Sequence, residues 1–198
     1  CVALGAAFAG TASAQQTTQP SPTLDAIRSR GAVVCGISTG VAGFALPDSQ
    51  GNWQGLDVDL CRGLAVAIFN DPAKVRLVPL STSTRFTALG SGEIDVLIRV
   101  STMTMLRDTT LGLRATTPYF YDGHGFMVRA DAGIQRARDL AGATICLQQG
   151  TTNEQITADY FRSINADFRP VVFERADQAV AALAAGRCDS FGVDAGAL

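Results

Sequence analysis

The chain is poor in the residues that carry catalysis and cofactor binding. It has a single histidine, His124, set between Gly123 and Gly125, a mobile place to hold a general base. No P-loop, G-x-G-x-x-G or H-E-x-x-H pattern occurs, so the sequence offers no nucleotide or metal chemistry and calls for no cofactor. None of the five cysteines stands in a C-x-x-C pair, the spacing of zinc and redox sites. A formal charge of -2 gives no electrostatic footprint for nucleic acid. Nor is there an apolar run of the length needed to cross a bilayer. Gly36-Ile37-Ser38-Thr39-Gly40 copies the G-x-S-x-G of a nucleophile elbow, but Gly43, Pro47 and Asp48 forbid the helix an elbow turns into. The hydrolase reading is set aside.

What is present fits an exported α/β protein. The 198 residues, 47% of them hydrophobic, suffice for one large domain or two small ones. Residues 1–14 are small and apolar and end in Ala12-Ser13-Ala14, a signal-peptidase pattern with cleavage expected near Ala14. No initiator Met or basic region precedes them, so the chain is expected to begin inside its own signal peptide. Cys1 precedes the apolar run and is not placed as a lipid anchor. In an oxidising compartment Cys35, Cys61, Cys146 and Cys188 form an even set. Three pairings are possible. Proximity along the chain favours Cys35–Cys61 and Cys146–Cys188, one bridge in each half, each stabilising by about 3–4 kcal/mol on a chain-entropy estimate. Four buried free thiols are the alternative.

After a Gln/Thr/Pro-rich linker, residues 15–22, helices and strands alternate. Helix is expected over Thr23–Arg30, with Thr23 as N-cap and Gly31 as the terminating residue. Strand Ala32–Ile37, a loop to Gln54, helix Leu56–Phe69, strand Lys74–Leu80, helix Thr84–Leu89 and strand Ile94–Val100 follow. Ala115–Arg129 reads as strand broken at Asp122–Gly125. A second alternation has helix near Ala137–Leu140, strand Thr144–Leu147, helix Asn153–Ile164, strand Pro170–Phe173, helix Ala176–Ala185 and strand Asp189–Val193. Such alternation implies βαβ units and largely parallel sheets. Two lobes are expected, 23–121 and 122–198, with the second incomplete and both ends of the chain cut.

The stretch Gly92–Thr110 concentrates the chemistry. Its apolar run, Ile94–Val100, has the length and β-branched content of a strand buried on both faces. Ser101, Thr102, Thr104 and Arg107 follow it at once. Ligands of open α/β sheets bind beyond the carboxyl ends of strands. A guanidinium there can grip a carboxylate, and the hydroxyls can accept from an ammonium, which suits a small zwitterion. The alternative is a solvated arginine paired with Asp108. Thr151 and Thr152 open a helix after a strand, either as an anion site of backbone N–H groups or as an ordinary cap. Asp194 lies past the last strand, either at the site or on a surface loop. Phe44 and Trp53 either wall a pocket or pack on the lobe.

The runs GLDVDLCRGLA, RFTALGSGEIDVL, LRDTTLGL, PYFYDGHGFMV, LQQGTTNE and AALAAGRCDSFGVD resemble the periplasmic general L-amino-acid-binding proteins of ABC importers, in the polar amino-acid branch of solute-binding proteins. The resemblance covers about Thr23 to the last residue. It implies a type II periplasmic-binding fold whose lobes close over one L-α-amino acid and present it to a membrane permease. It also implies a periplasmic protein, monomeric at full length. Carried over by position, Arg107 grips the α-carboxylate, shared with the backbone N–H groups at Thr151 and Thr152. Thr102 and the backbone carbonyl of Val100 hold the α-ammonium, and Asp194 is its acidic partner from the second lobe. Val100 and Met103 stand where relatives carry a small polar residue and a tryptophan, which leaves the side-chain pocket undefined. The family continues beyond Leu198. A rival reading is an exported enzyme of cyclohexadienyl or arogenate dehydratase type on the same fold, which needs a general acid the sequence does not single out. Another is the sensor domain of a receptor, which needs a membrane segment downstream.

Overall fold

The computed structural model describes residues 21–197. The signal-peptide segment 1–14 and the linker as far as residue 20 lie outside the described residues. The chain enters through helix α1, Pro22–Arg30, capped by the Ser21 hydroxyl, which accepts from the Leu24 N–H. The expected cap at Thr23 is thus displaced by two residues. Pro22 has no N–H to satisfy and a preset φ, so it starts the helix one turn position earlier. Gly31 ends it in the left-handed region, as expected.

Strand β1, Val33–Ser38, is buried along its whole length. It is the centre of a three-stranded parallel sheet between β4, Val75–Leu80, and β5, Val96–Leu97. Helix α2, Leu56–Phe69, has the expected bounds and covers one face. Its Val58 and Cys61 join Cys35, Ile37, Ala45 and Ile98 in a core closed by the Cys35–Cys61 disulfide, Cα atoms 6.0 Å apart. Helix α3, Arg85–Gly90, and Ile94 close the other face over Val34 and Leu80. The expected loop after β1 contains a small hairpin, β2 (Leu46–Pro47) with β3 (Trp53–Gln54). The Asp48 carboxylate builds its turn by accepting from the N–H groups of Gln50 and Asn52.

Two expected strands are shorter in the structure. Of Ile94–Val100 only Val96–Leu97 pairs with β1. On one side Asp95 turns its carboxylate onto the Val34 N–H and onto Arg30, taking a donor out of the ladder. On the other, Arg99 leaves the sheet for Thr82. Helix α4, Met105–Thr110, follows. Of Ala115–Arg129 only β6, His124–Val128, is strand. The segment before it is held by side chains instead: the Tyr119 hydroxyl donates to Asp57 at 2.7 Å, and Phe120 meets the Phe44 ring edge-on at 5.0 Å.

The second sheet has the order β6-β9-β7-β8, with β7 at Thr144–Gln148, β8 at Arg169–Phe173 and β9 at Ser190–Asp194. Three of its strands are parallel and β6 runs antiparallel to β9, so this sheet is mixed. Helix α5, Asn153–Ser163, packs Phe161 over Leu140, Ile145 and Leu147. Helix α6, Ala176–Ala184, covers the other face around the Cys146–Cys188 disulfide, Cα atoms 5.7 Å apart. Both disulfides join the cysteines that proximity paired, one beneath each sheet.

Candidate ligand-binding cleft

The carboxyl ends of β4 and β5 in the first sheet meet the end of β7 in the second. Gln148 donates to the Thr82 hydroxyl at 3.0 Å, and the Thr102 and Thr152 hydroxyls lie 3.0 Å apart. Arg85 and Arg107 both donate to the Gly150 carbonyl, at 3.2 and 3.3 Å. Hydroxyls, guanidiniums and one loop of the second sheet therefore come together at a single junction between the two sheets.

Arg107 sits in α4, which the Thr104 hydroxyl caps by accepting from the Arg107 N–H at 3.2 Å. The cap fixes the first turn and sends the guanidinium into the cleft, where it also donates to the Thr102 carbonyl at 2.7 Å. Its charged carbon lies 5.1 Å from the centre of the Phe86 ring, a cation–π contact. Among the described residues it makes no ion pair with Asp108. Burial pulls its pKa down, and the Asp194 carboxylate works the other way.

Thr151 and Thr152 open α5 without capping it by side chain. The Thr151 hydroxyl donates to the Gln148 carbonyl at 2.7 Å, while Glu154 reaches back to the Gly150 N–H at 2.8 Å. Thr152 is thereby left to meet Thr102. The Val100 carbonyl accepts from Arg99 at 3.4 Å and keeps a second lone pair. Asp194 is the last residue of β9 and lies opposite His124, so it belongs to the sheet and not to a surface loop. Burial raises its pKa, opposed by the Asn153 side chain and, more weakly, by the charge of Arg85. Phe44 is buried against Phe120, and Trp53 packs on the first core. Gly55, at φ 122°, admits this loop: a Cβ there would stand 2.4 Å from the Phe44 carbonyl oxygen.

His124 is also firmly placed, contrary to the mobility its glycine neighbours suggest. It begins β6, with Nδ1 2.8 Å from Asn153 Oδ1 and Nε2 3.1 Å from Thr157 Oγ1.

Sequence reasoning passed over several polar groups beneath the cleft. Arg85 and Arg99 are only 2% and 8% exposed. Burial, reinforced by the neighbouring arginines, lowers their pKa values to about 9 and about 10. Burial raises that of Asp57, which receives the Tyr119 hydroxyl, and raises that of Tyr119 in turn. Among the described residues, the buried side-chain polar atoms without a partner are Ser38 Oγ, Asp57 Oδ2, Arg85 Nε, Arg99 Nε and Ser101 Oγ. All five belong to the first lobe, at strand ends and the helices that follow them. Two signals pointed to them: Arg85 follows the end of β4, and Arg99 is a charge inside an apolar run.

The described residues contain no cluster of His, Cys, Asp and Glu arranged to hold a metal ion, and no helix long and apolar enough to cross a membrane. The chain is 49% identical over 193 residues to the general L-amino acid-binding periplasmic protein AapJ of Rhizobium johnstonii, a match covering 97% of this chain and 55% of that protein. It is 47% identical over 197 residues to the glutamate/glutamine/aspartate/asparagine-binding protein BztA of Rhodobacter capsulatus, covering 100% of this chain and 56% of the other. A solved periplasmic binding protein of an ABC transporter from Brucella ovis, with glutathione bound, superposes with a TM-score of 0.85 at 49% identity, covering 88% of this chain and 55% of that one. The chain thus spans about half the length of the curated relatives it matches. The pattern of the bacterial extracellular solute-binding proteins, family 3, matches residues 33–187. With two α/β units meeting at a cleft of the type II periplasmic-binding fold, this chain belongs to that family.

Proposed function

We propose that this chain is the ligand-binding part of a periplasmic solute-binding protein that captures L-α-amino acids and delivers them to the permease of an ABC importer. The observation that carries the reading is the hydroxyl pair of Thr102 and Thr152 between the lobes, with Arg107 donating to the Gly150 carbonyl beside it and the Asp194 carboxylate near enough to push the Arg107 pKa upward against burial. A zwitterion withdrawn from water needs a partner at each end. In this reading Arg107 takes the α-carboxylate, together with backbone N–H groups at Thr151 and Thr152. Thr102, the Val100 carbonyl and Asp194 take the α-ammonium, and Phe44 backs the first-lobe wall. The lobes divide at 121/122, so a ligand that touches both favours the closed form over the open one.

The family names of the relatives speak for a binding protein and not an enzyme. The site agrees, since both ring nitrogens of the lone histidine are engaged within the second lobe. Export through a signal peptide cleaved near Ala14 and a monomeric full-length state complete the proposal. A thermal-shift panel of the common L-amino acids on the protein from its complete reading frame is the test. A ligand at about 100 times its Kd should stabilise by roughly 2.7 kcal/mol, a rise of several degrees. No shift with any amino acid would refute the reading.

A further inference from the structure

His124 takes no part in the head-group contacts set out above, yet it is among the best-anchored polar side chains in the second lobe. Both its ring nitrogens bond to helix α5, and its ring meets Phe126 edge-on at 4.8 Å. Its partners are deeply buried: Asn153 is 3% exposed and Thr157 0%. The hydrogen-bond inventory fixes the direction of donation. Asn153 Oδ1 only accepts, so Nδ1 carries the proton and donates to it. In the neutral ring Nε2 then has a lone pair, and the Thr157 hydroxyl donates to it. With Oδ1 occupied, the amide nitrogen of Asn153 is the end left to face the Asp194 carboxylate, whose pKa the Asn153 side chain lowers. Thr157, His124 and Asn153 thus form one hydrogen-bonded chain in which the donors point the same way, and the strand register sets Asp194 opposite His124.

The backbone is shaped around this chain. His124 is the register partner of Asp194 across β6 and β9. Gly192, two residues before Asp194, leaves the space the chain occupies. A Cβ there would stand 3.1 Å from Thr157 Oγ1, 3.3 Å from His124 Cε1 and 2.9 Å from Leu147.

We infer that His124 is a positioning residue for amino-acid capture: held by Thr157, it orients the Asn153 amide so that Asp194 presents its carboxylate to the ligand α-ammonium. This rests on the function proposed above. Calorimetry with L-glutamate and with L-glutamine on the complete protein, His124→Leu and His124→Gln tests it. Leucine keeps the bulk and removes both hydrogen bonds. Glutamine can donate to Asn153 and accept from Thr157. His124→Leu should bind about tenfold more weakly, the worth of one hydrogen bond, and His124→Gln should recover to within about threefold of wild type. Equal affinity of His124→Leu and wild type would overturn the inference, as would equal weakness of both variants. Should the leucine variant fail to fold, the nitrogen-15 shifts of the wild-type imidazole decide: the Nδ1–H tautomer supports the chain, and the Nε2–H tautomer breaks it. A wild type that binds no amino acid would instead fail the capture reading, whatever the tautomer.

Discussion

Arg85 and Arg107 stand on different helices and donate to the same acceptor, the Gly150 carbonyl, at 3.2 and 3.3 Å. One neutral oxygen from the second lobe is therefore shared by two guanidiniums of the first. Both are depressed in pKa by burial, Arg85 to about 9. A carboxylate entering the cleft relieves this arrangement, because it supplies negative charge and several lone pairs where one carbonyl now serves.

Arg107→Ala should abolish amino-acid binding. Removing one partner of a buried charge pair costs roughly 3–5 kcal/mol, or two to four decades in affinity. Arg28→Ala, on the exposed face of α1, is the matched control and should leave affinity unchanged. Titration of the two variants side by side checks the assignment, and an Arg107→Ala protein within about threefold of wild type would remove Arg107 from the site.

Charge on the first-lobe side is unbalanced. Of Arg85, Arg99 and Arg107, only Arg99 has a first-lobe carboxylate acting on it, Asp57, whose ionisation burial itself disfavours, while Arg85 and Arg107 share the second lobe's Asp194. L-Glutamate and L-aspartate should accordingly bind more tightly than L-lysine and L-arginine. Arg85→Met keeps a long apolar stem and removes the charge, so it should narrow that preference by about tenfold. Competition titrations at two salt concentrations measure it. An undiminished preference for acidic ligands in Arg85→Met would place their recognition elsewhere.

Asp57 gives a pH signature of stability. Its folded pKa is raised above the ordinary 3.8 by burial, so the contribution it makes is fully present below 3.8. That contribution is lost as pH rises through the raised value. Asp57→Asn keeps an acceptor for the Tyr119 hydroxyl and cannot ionise. The melting temperature of the variant relative to wild type should therefore climb as pH rises from 3.8 into the neutral range. A difference that is flat with pH would mean that Asp57 titrates normally.

Much of the fold was legible because its determinants are local. Helix α2 was found at its observed bounds from Leu60, Leu64 and Ile68 at helical spacing, and each disulfide from cysteines close along the chain. Failures came where a distant side chain takes over a backbone group. Asp95 interrupts a strand that looks continuous in sequence, and Tyr119 and Phe120 hold an extended segment without a ladder. His124 was misjudged for the same reason. Flanking glycines speak of mobility, whereas its pairing with Asp194 and its bonds to α5 arise from residues about thirty to seventy positions away. The placing of Arg107 and the Thr151–Thr152 segment beyond strand ends was legible from the order of the elements. Arg85 follows one too, but its burial could be seen only once α3 was packed.

Head-group recognition is tested most directly by calorimetry of the complete protein with L-glutamine and two analogues. One analogue carries an amide in place of the α-carboxylate, and the other a hydroxyl in place of the α-ammonium. Arg107 and Asp194 each require one of those charges, so L-glutamine should bind and each analogue should be weaker by two decades or more, about 3 kcal/mol. Binding of either analogue at the affinity of L-glutamine would show that the charge it lacks is not what the cleft recognises.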